Sequence, residues 1–272
     1  MTKILITGGT GFLGQELIKR LPQEQVRIVA RNEKNLIDLK TQYPSIEIIP
    51  GDVKEELICQ KALQDVDTVF HLSAFKHVGL AEENVHTCIG SNLTGTMNLL
   101  RYFSGQTFVF TSTDKACKIN GVYGASKFLA ERAITEYSNL HPDKTVRIVR
   151  YGNVLWSSGS VLPKWKELLQ KGKEIIITDP EATRFFWTVQ EAVDLIFEAI
   201  IHGKDATPYC PTMKSIKMGD LLEAMQQKYG RAKNVKVIGL QRGENKSEKV
   251  VEGGLDSEES EKFSVDEIME LI

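Results

Sequence analysis

Two short groups of side chains could carry chemistry together. Tyr123 and Lys127 stand four residues apart at the start of a helical pattern, one turn from each other on one face. An ammonium beside a phenol favours the phenolate and would lower the tyrosine from its ordinary value of about 10. Tyr123 is therefore a candidate general base for a hydroxyl group. Just upstream, an apolar strand runs into Thr111-Ser112-Thr113-Asp114-Lys115, so a hydroxyl, a carboxyl and an amine follow one another.

A third group is built of glycine. Gly8, Gly11 and Gly14 fall between the apolar run Lys3 to Thr7 and the helical pattern Gln15 to Leu21. At such a turn the helix start offers free N–H groups and partial positive charge to a pyrophosphate. Glycine permits the tight turn and a close approach of backbone to phosphate. Thr10, Phe12 and Leu13 belong to the same turn and count among the expected cofactor contacts. The second strand ends in Ala30-Arg31-Asn32, where an NAD-preferring fold carries Asp or Glu. Arg31 suits a 2′-phosphate, which favours NADP. Asp52 and Val53 follow the third strand, where an adenine edge would lie. Ala74 leaves room at the end of the fourth, and Tyr151 closes the cofactor set at the end of the sixth.

The elements that must position these residues alternate. Strands are expected at Lys3 to Thr7, Val26 to Ala30, Ile46 to Ile49, Thr68 to Leu72, Thr107 to Thr111 and Thr145 to Arg150. Helices are expected at Glu33 to Gln42, Lys54 to Leu63, Val85 to Phe103 and Tyr123 to Tyr137. That rhythm predicts an α/β fold: a Rossmann-type, doubly wound parallel sheet with helices on both faces. Beyond Asn153 the rhythm loosens into helices at Val161 to Gln170, Gln190 to Ile201 and Met218 to Tyr229, with short strands at Glu174 to Thr178 and Val235 to Ile238. The expected division is a dinucleotide-binding part over residues 1–155, with 187–203 returning to it. A small α/β substrate-binding part covers 156–186 and 204–272. The acidic run Asp256 to Lys262 reads as a solvated surface or frayed tail.

Composition narrows the partners. Over 272 residues the net charge is -2, with 42% hydrophobic and 26% charged residues. A near-neutral chain gives no electrostatic case for nucleic acid or an acidic membrane surface. No run approaches the roughly 18 apolar residues of a membrane span, and no signal-peptide pattern opens the chain, so a cytoplasmic protein is expected. Cys59, Cys88, Cys117 and Cys210 are widely spaced, read as buried free thiols, and no metal site is expected.

The chain resembles the extended short-chain dehydrogenases/reductases, and among them the inverting UDP-N-acetylglucosamine 4,6-dehydratases of the CapD-like polysaccharide-biosynthesis group. The resemblance is carried by Thr7 to Gly14 (TGGTGFLG), Phe75 to Val78 (FKHV), Thr111 to Ala116 (TSTDKA), Tyr123 to Lys127 (YGASK), Arg150 to Val154 (RYGNV), Gly159 to Pro163 (GSVLP) and Ile177 to Phe185 (ITDPEATRF). Thr113-Asp114-Lys115 is the most specific segment, since retaining sugar dehydratases carry Asp-Glu there. The resemblance implies NADP that is recycled, a nucleotide-sugar substrate and a homo-oligomer. It implies that Tyr123 takes the C4 hydroxyl proton as hydride leaves C4. Lys115 is then the base at C5, provided burial or Lys127 lowers its pKa, and Asp114 the acid for the departing C6 hydroxyl. Thr113 contacts the C4 oxygen and Lys127 also holds the nicotinamide ribose. It further implies cofactor or substrate contacts for Lys76, substrate phosphate contacts for Asn153, a diphosphate-binding role for Arg184, and a helix-bending or water-holding role for Asn92. His71 and His77 read as structural.

Two segments depart from the family. Trp156 and Ser158 stand where a glycine and an arginine are usual. Gln241-Arg242-Gly243-Glu244-Asn245 replaces Arg-Pro-Gly-Glu-Lys, leaving Arg242 to supply the basic contact. An epimerase, a reductase or a 5,6-dehydratase on the same scaffold stays open, as does a non-catalytic NADP-binding regulator. Lys115 after Asp114 argues against a simple epimerase, and the presence of Tyr123 and Lys127 against the regulator.

Overall fold

The computed structural model describes residues 3–272. Six strands, β1 (Lys3–Thr7), β2 (Val26–Ala30), β3 (Glu47–Pro50), β4 (Val66–His71), β5 (Thr107–Thr113) and β6 (Thr145–Tyr151), form one sheet. A late edge strand, β10 (Pro208–Tyr209), completes it in the order β10-β6-β5-β4-β1-β2-β3. Every pairing in it is parallel. The expected α/β class and parallel sheet are thus present. Six of the seven β5 residues are buried, as a strand covered on both faces requires.

Helices cover those faces. The first seven are α1 (Phe12–Ile18), α2 (Glu33–Gln42), α3 (Glu56–Ala62), α4 (Val78–Glu83), α5 (Val85–Ile89), α6 (Gly95–Tyr102) and α7 (Val122–Leu140). On one side Leu99, Phe103, Ile134 and Tyr137 of α6–α7 pack against Phe108 and Phe110 of β5. On the other, Leu17 and Ile18 of α1 share a core with Ala192, Val193 and Ile196 of α9 (Val189–His202). A separate core joins α8 (Val161–Gln170), α10 (Met218–Tyr229) and α11 (Val265–Leu271) through Leu162, Trp165, Leu221, Met225 and Ile268. It lies against the short strands β8 (Ile175–Ile177), β9 (Thr183–Trp187) and β11 (Ser215–Lys217); β7 (Asn153–Val154) and β12 (Val235–Val237) are the remaining short strands. β9 pairs with β7 and β11, while β12 pairs with β8.

Three local readings change. The single helix expected over Val85 to Phe103 is broken by a π-helical segment at Gly90–Thr94. The cause is Asn92, whose side chain turns away to bond both the N–H (2.7 Å) and the carbonyl (3.0 Å) of Phe75. β9 is buried at all five positions, so it lacks the alternation that marks a half-exposed strand. The acidic run is docked, not frayed: Ser257 and Ser260 are buried, and the Ser257 hydroxyl donates to the Thr183 carbonyl (3.1 Å) while accepting from the Glu248 N–H (2.8 Å). Its glutamates face out while its serines face in, a division that charge counting does not reveal. Of the four thiols, Cys59 and Cys88 are buried, whereas Cys117 and Cys210 are half-buried.

Candidate active site

A cleft of about 670 Å³ crosses the carboxyl ends of the parallel strands, where the strand order reverses between β1 and β4. At one end lies the glycine turn. Gly8 has φ +71, and a Cβ there would meet the Ser73 backbone at 2.9 Å. A Cβ on Gly14 would stand 2.5 Å from Gly9 Cα. Gly11 precedes α1 with no side-chain cap, so the first N–H groups of the helix stay free. Thr10, Phe12 and Leu13 line the same end. This cradle, closed to any side chain, fits a dinucleotide pyrophosphate. Arg31, Asp52 and Val53 line the rim, and the Arg31 guanidinium stands 3.8 Å from Asp52 Oδ2. That separation is too long for a hydrogen bond and leaves the guanidinium donors uncommitted by it.

At the other end Thr113, Lys115, Tyr123 and Lys127 line the cleft together with Ala74, Lys76, Tyr151 and Asn153. Thr113 ends β5, Lys115 lies in the turn that follows, and Tyr123 and Lys127 open α7. Asp114 is fully buried behind Lys115. Its Oδ1 accepts from the Thr113 hydroxyl (2.8 Å), the Lys115 N–H (2.8 Å) and Lys115 Nζ (3.0 Å). Its Oδ2 has no hydrogen-bond partner.

Two electrostatic expectations are corrected. Burial pushes the Tyr123 phenol above its ordinary range, and Lys115 and Thr113 only partly offset that. Lys127 does not supply the lowering. Burial itself pulls Lys127 down to about 7, against the upward pull of Glu131, and its Nζ donates to the Thr111 carbonyl at 2.6 Å. Lys115 moves the opposite way to expectation. Burial does lower it, but the Asp114 and Glu248 carboxylates outweigh burial, and the ammonium is held above its usual range.

Two expected substrate contacts are placed elsewhere. Arg184, on β9, does not line the cleft: it donates to the carbonyls of Thr183 (2.8 Å), Lys246 (3.0 Å) and Asn245 (2.6 Å). Its donors hold the C-terminal loop and are not turned to a diphosphate. Arg242 is also absent from the lining; its side chain is 88% exposed and lies 3.6 Å from Glu82. Lys76 donates to the Ser158 carbonyl at 2.6 Å, so the usual arginine position contributes its backbone. The Tyr151 hydroxyl donates to the Ala192 carbonyl at 2.6 Å, which leaves its ring for the cleft. His71 is buried between the Thr7 and Thr96 hydroxyls (2.7 and 2.9 Å), and burial, aided by Lys127, pushes it down to about 3.

One group escaped sequence reasoning. Glu248 is fully buried, with Oε1 3.4 Å from Lys115 Nζ. A single glutamate in a stretch rich in Lys and Glu carries no spacing signal.

Fold and cleft together define a protein of the extended short-chain dehydrogenase/reductase type. The chain belongs to the family described as "Polysaccharide biosynthesis protein", which matches residues 4–271. It is 33% identical over 255 residues to a UDP-N-acetylglucosamine 4,6-dehydratase (inverting) of Campylobacter jejuni, covering 89% of this chain and 75% of that one. It is 32% identical over 262 residues to a UDP-glucose 4-epimerase of Rickettsia canadensis, covering 91% and 77%. Among solved structures, Pen from Bacillus thuringiensis superposes with a TM-score of 0.92 at 28% identity, over 99% of this chain and 96% of that one.

Proposed function

We propose that the chain is an NADP-dependent nucleotide-sugar 4,6-dehydratase that inverts C5, acting on UDP-N-acetylglucosamine in surface-glycan synthesis. The observation that carries this reading is that Lys115 and Tyr123 line one cleft while Asp114 stands 3.0 Å behind Lys115. Two separate proton-handling units thus face one space. Moving hydride at C4 needs the first, and eliminating water across C5 and C6 needs the second. When bound, NADP supplies the hydride acceptor and donor.

The side chains divide the remaining work. Tyr123 takes the C4 hydroxyl proton in its phenolate form, which the Lys115 ammonium and the Thr113 hydroxyl favour against burial, and Thr113 orients the C4 oxygen. A proton passing from Lys115 Nζ to Asp114 Oδ1 turns ammonium and carboxylate into an amine and an acid together. Lys115 then takes the C5 proton, and Asp114 gives its proton to the departing C6 hydroxyl, which leaves as water. The pair returns to its starting charges, so a raised Lys115 pKa does not bar the step. A solvent-derived proton then reaches C5 from the opposite face and inverts that centre, and Tyr123 releases the C4 hydroxyl proton to solvent, so every group ends in its starting charge. Arg31 at the rim supports NADP through its cation. Lys76 and Asn153 serve the substrate end. Residues 1–155 with 187–203 form the dinucleotide part, and 156–186 with 204–272 the sugar part. The enzyme is read as a cytoplasmic homo-oligomer; among the described residues no helix is long and apolar enough to cross a membrane.

The test is incubation with UDP-N-acetylglucosamine in D₂O, followed by NMR. The expected product is a 4-keto-6-deoxy sugar with deuterium at C5 and inverted C5 coupling. A 4-epimer without solvent deuterium would replace this reading with the epimerase, which the Rickettsia relative supports.

A further inference from the structure

We propose that Glu248 is the positioning residue that fixes Lys115 at the cleft and governs its protonation. The inference rests on the dehydratase reading for its catalytic meaning, and on geometry for its existence. Glu248 is separated from Lys115 along the chain by β6 through β12, yet the fold delivers its carboxylate to the back of the lysine. Lys115 Nζ lies between two buried carboxylates, 3.0 Å from Asp114 Oδ1 and 3.4 Å from Glu248 Oε1. Both acids are fully buried, and each keeps one oxygen, Asp114 Oδ2 and Glu248 Oε1, without a hydrogen bond. A buried carboxylate oxygen left unbonded is costly, and the site tolerates two of them around one ammonium.

The placement of Glu248 is built. Its N–H donates to the Ser257 hydroxyl (2.8 Å), and its Oε2 accepts from Asn245 Nδ2 (3.2 Å). Asn245 Nδ2 also donates to the Lys118 carbonyl (2.9 Å), and Lys118 Nζ to the Ser247 hydroxyl (2.9 Å). The loop that carries Glu248 is thereby stitched to the segment that follows Lys115. Arg184, whose Nε is 4.0 Å from Glu248 Oε1, holds the same loop through three carbonyls. This gives Arg184 a use away from the cleft lining.

The charged and titratable groups around Glu248 are Asp114 and Lys115 from the turn after β5 and Arg184 from β9. Tyr123 of α7 feels Lys115 in turn, and Cys210 feels Asp114. Burial raises Glu248 while the Lys115 and Arg184 cations pull it back, and the adjacent carboxylates raise Lys115. Two carboxylates and two cations balance, so removing one carboxylate must release part of the hold on the ammonium.

The experiment is a titration of Lys115 by ¹³Cε NMR in the whole, ligand-free protein, wild type against Glu248→Gln, with Lys115→Ala to assign the signal. The midpoint is expected to fall by about 1–3 units, the usual effect of an opposite charge within 4–6 Å. An unchanged midpoint overturns the proposal. If Glu248→Gln does not fold, the reciprocal measurement decides: Lys115→Met must raise the Glu248 carboxyl midpoint, and no change overturns the pairing. Neither titration needs turnover, so both stand or fall apart from the dehydratase reading. In turnover, Glu248→Gln should lower kcat for C5 exchange and move its lysine-dependent limb to lower pH, with NADP binding and KM unchanged. A limb that stays in place while the NMR midpoint moves removes Glu248 from the mechanism.

Discussion

Arg150 grips both carboxylate oxygens of Glu131, Nε to Oε1 at 2.9 Å and Nη2 to Oε2 at 2.7 Å, and both side chains are almost wholly buried. Arg150 lies on β6, and Glu131 is one turn beyond Lys127 on α7. The remaining nitrogen, Nη1, reaches the Val250 carbonyl (2.9 Å) and Glu252 (3.1 Å). One guanidinium therefore fixes the Tyr123 helix to the sheet and to the C-terminal segment. Replacing Glu131 by Ala leaves the buried cation with the exposed Glu252 as its carboxylate partner and should cost about 3–5 kcal/mol. Urea unfolding measures it. The double change Glu131→Leu with Arg150→Met should cost far less, and equal costs would mean that packing, not charge, matters there.

Among the described residues Lys115 is the cleft-lining amine paired with Asp114, and Lys115→Ala removes it. Deuterium incorporation at C5 should fall about 10²–10⁴-fold, the usual worth of a general acid–base group. NADPH binding, followed by fluorescence, should be unaffected. Lost NADPH binding would place Lys115 with the cofactor and not with C5.

Lys127 ties stability to pH. Its value in the fold is about 7, whereas an unfolded lysine holds its proton to about 10.4. Between these values the unfolded chain binds a proton that the folded chain lacks, so stability rises with pH through that window and is lowest below it. Lys127→Met removes the dependence. Its stability gain should be largest near pH 6, on the order of 3–5 kcal/mol less about 1 kcal/mol for the lost bond to Thr111, and should fade toward pH 10. A gain that is flat with pH would show the lysine to be charged in the folded cofactor-free protein.

Arg31 should choose the cofactor. Arg31→Asp is expected to weaken NADPH about 10–100-fold, the worth of charge-assisted hydrogen bonds, while NADH binds as well or better. Fluorescence titration with both nucleotides reads the ratio. An unchanged ratio would put the 2′-phosphate away from Arg31.

What could be read before the structure follows from locality. Gly8, Gly11 and Gly14 announce a turn because their demand on the backbone is met within seven residues. β1, β2 and α2 appear where the apolar spacing puts them, since each buries a face against the same sheet. Tyr123 and Lys127 sit together because one helical turn makes them neighbours. Glu248 and β9 were hidden because their partners lie far away in the chain, and the helix-bending role that the resemblance implies for Asn92 has a distant partner too. Asn92 is explained only by Phe75, β9 only by the strands on either side of it, and Glu248 only by Lys115. The bonds of Arg184 and the raised Lys115 differ from expectation for a shared reason: a side chain's neighbours across the fold, and not its motif, decide where its donors go and which charge it keeps.

The bond between Asn245 and Lys118 spans 127 residues, and it closes around the turn that bears Asp114 and Lys115. During synthesis the glycine cradle and the first six strands leave the ribosome long before that bond can form. The glycine cradle is therefore made before the residue that places the second carboxylate at Lys115. A chain that stops short of Glu248 has the residues of the glycine cradle and lacks the second carboxylate at Lys115.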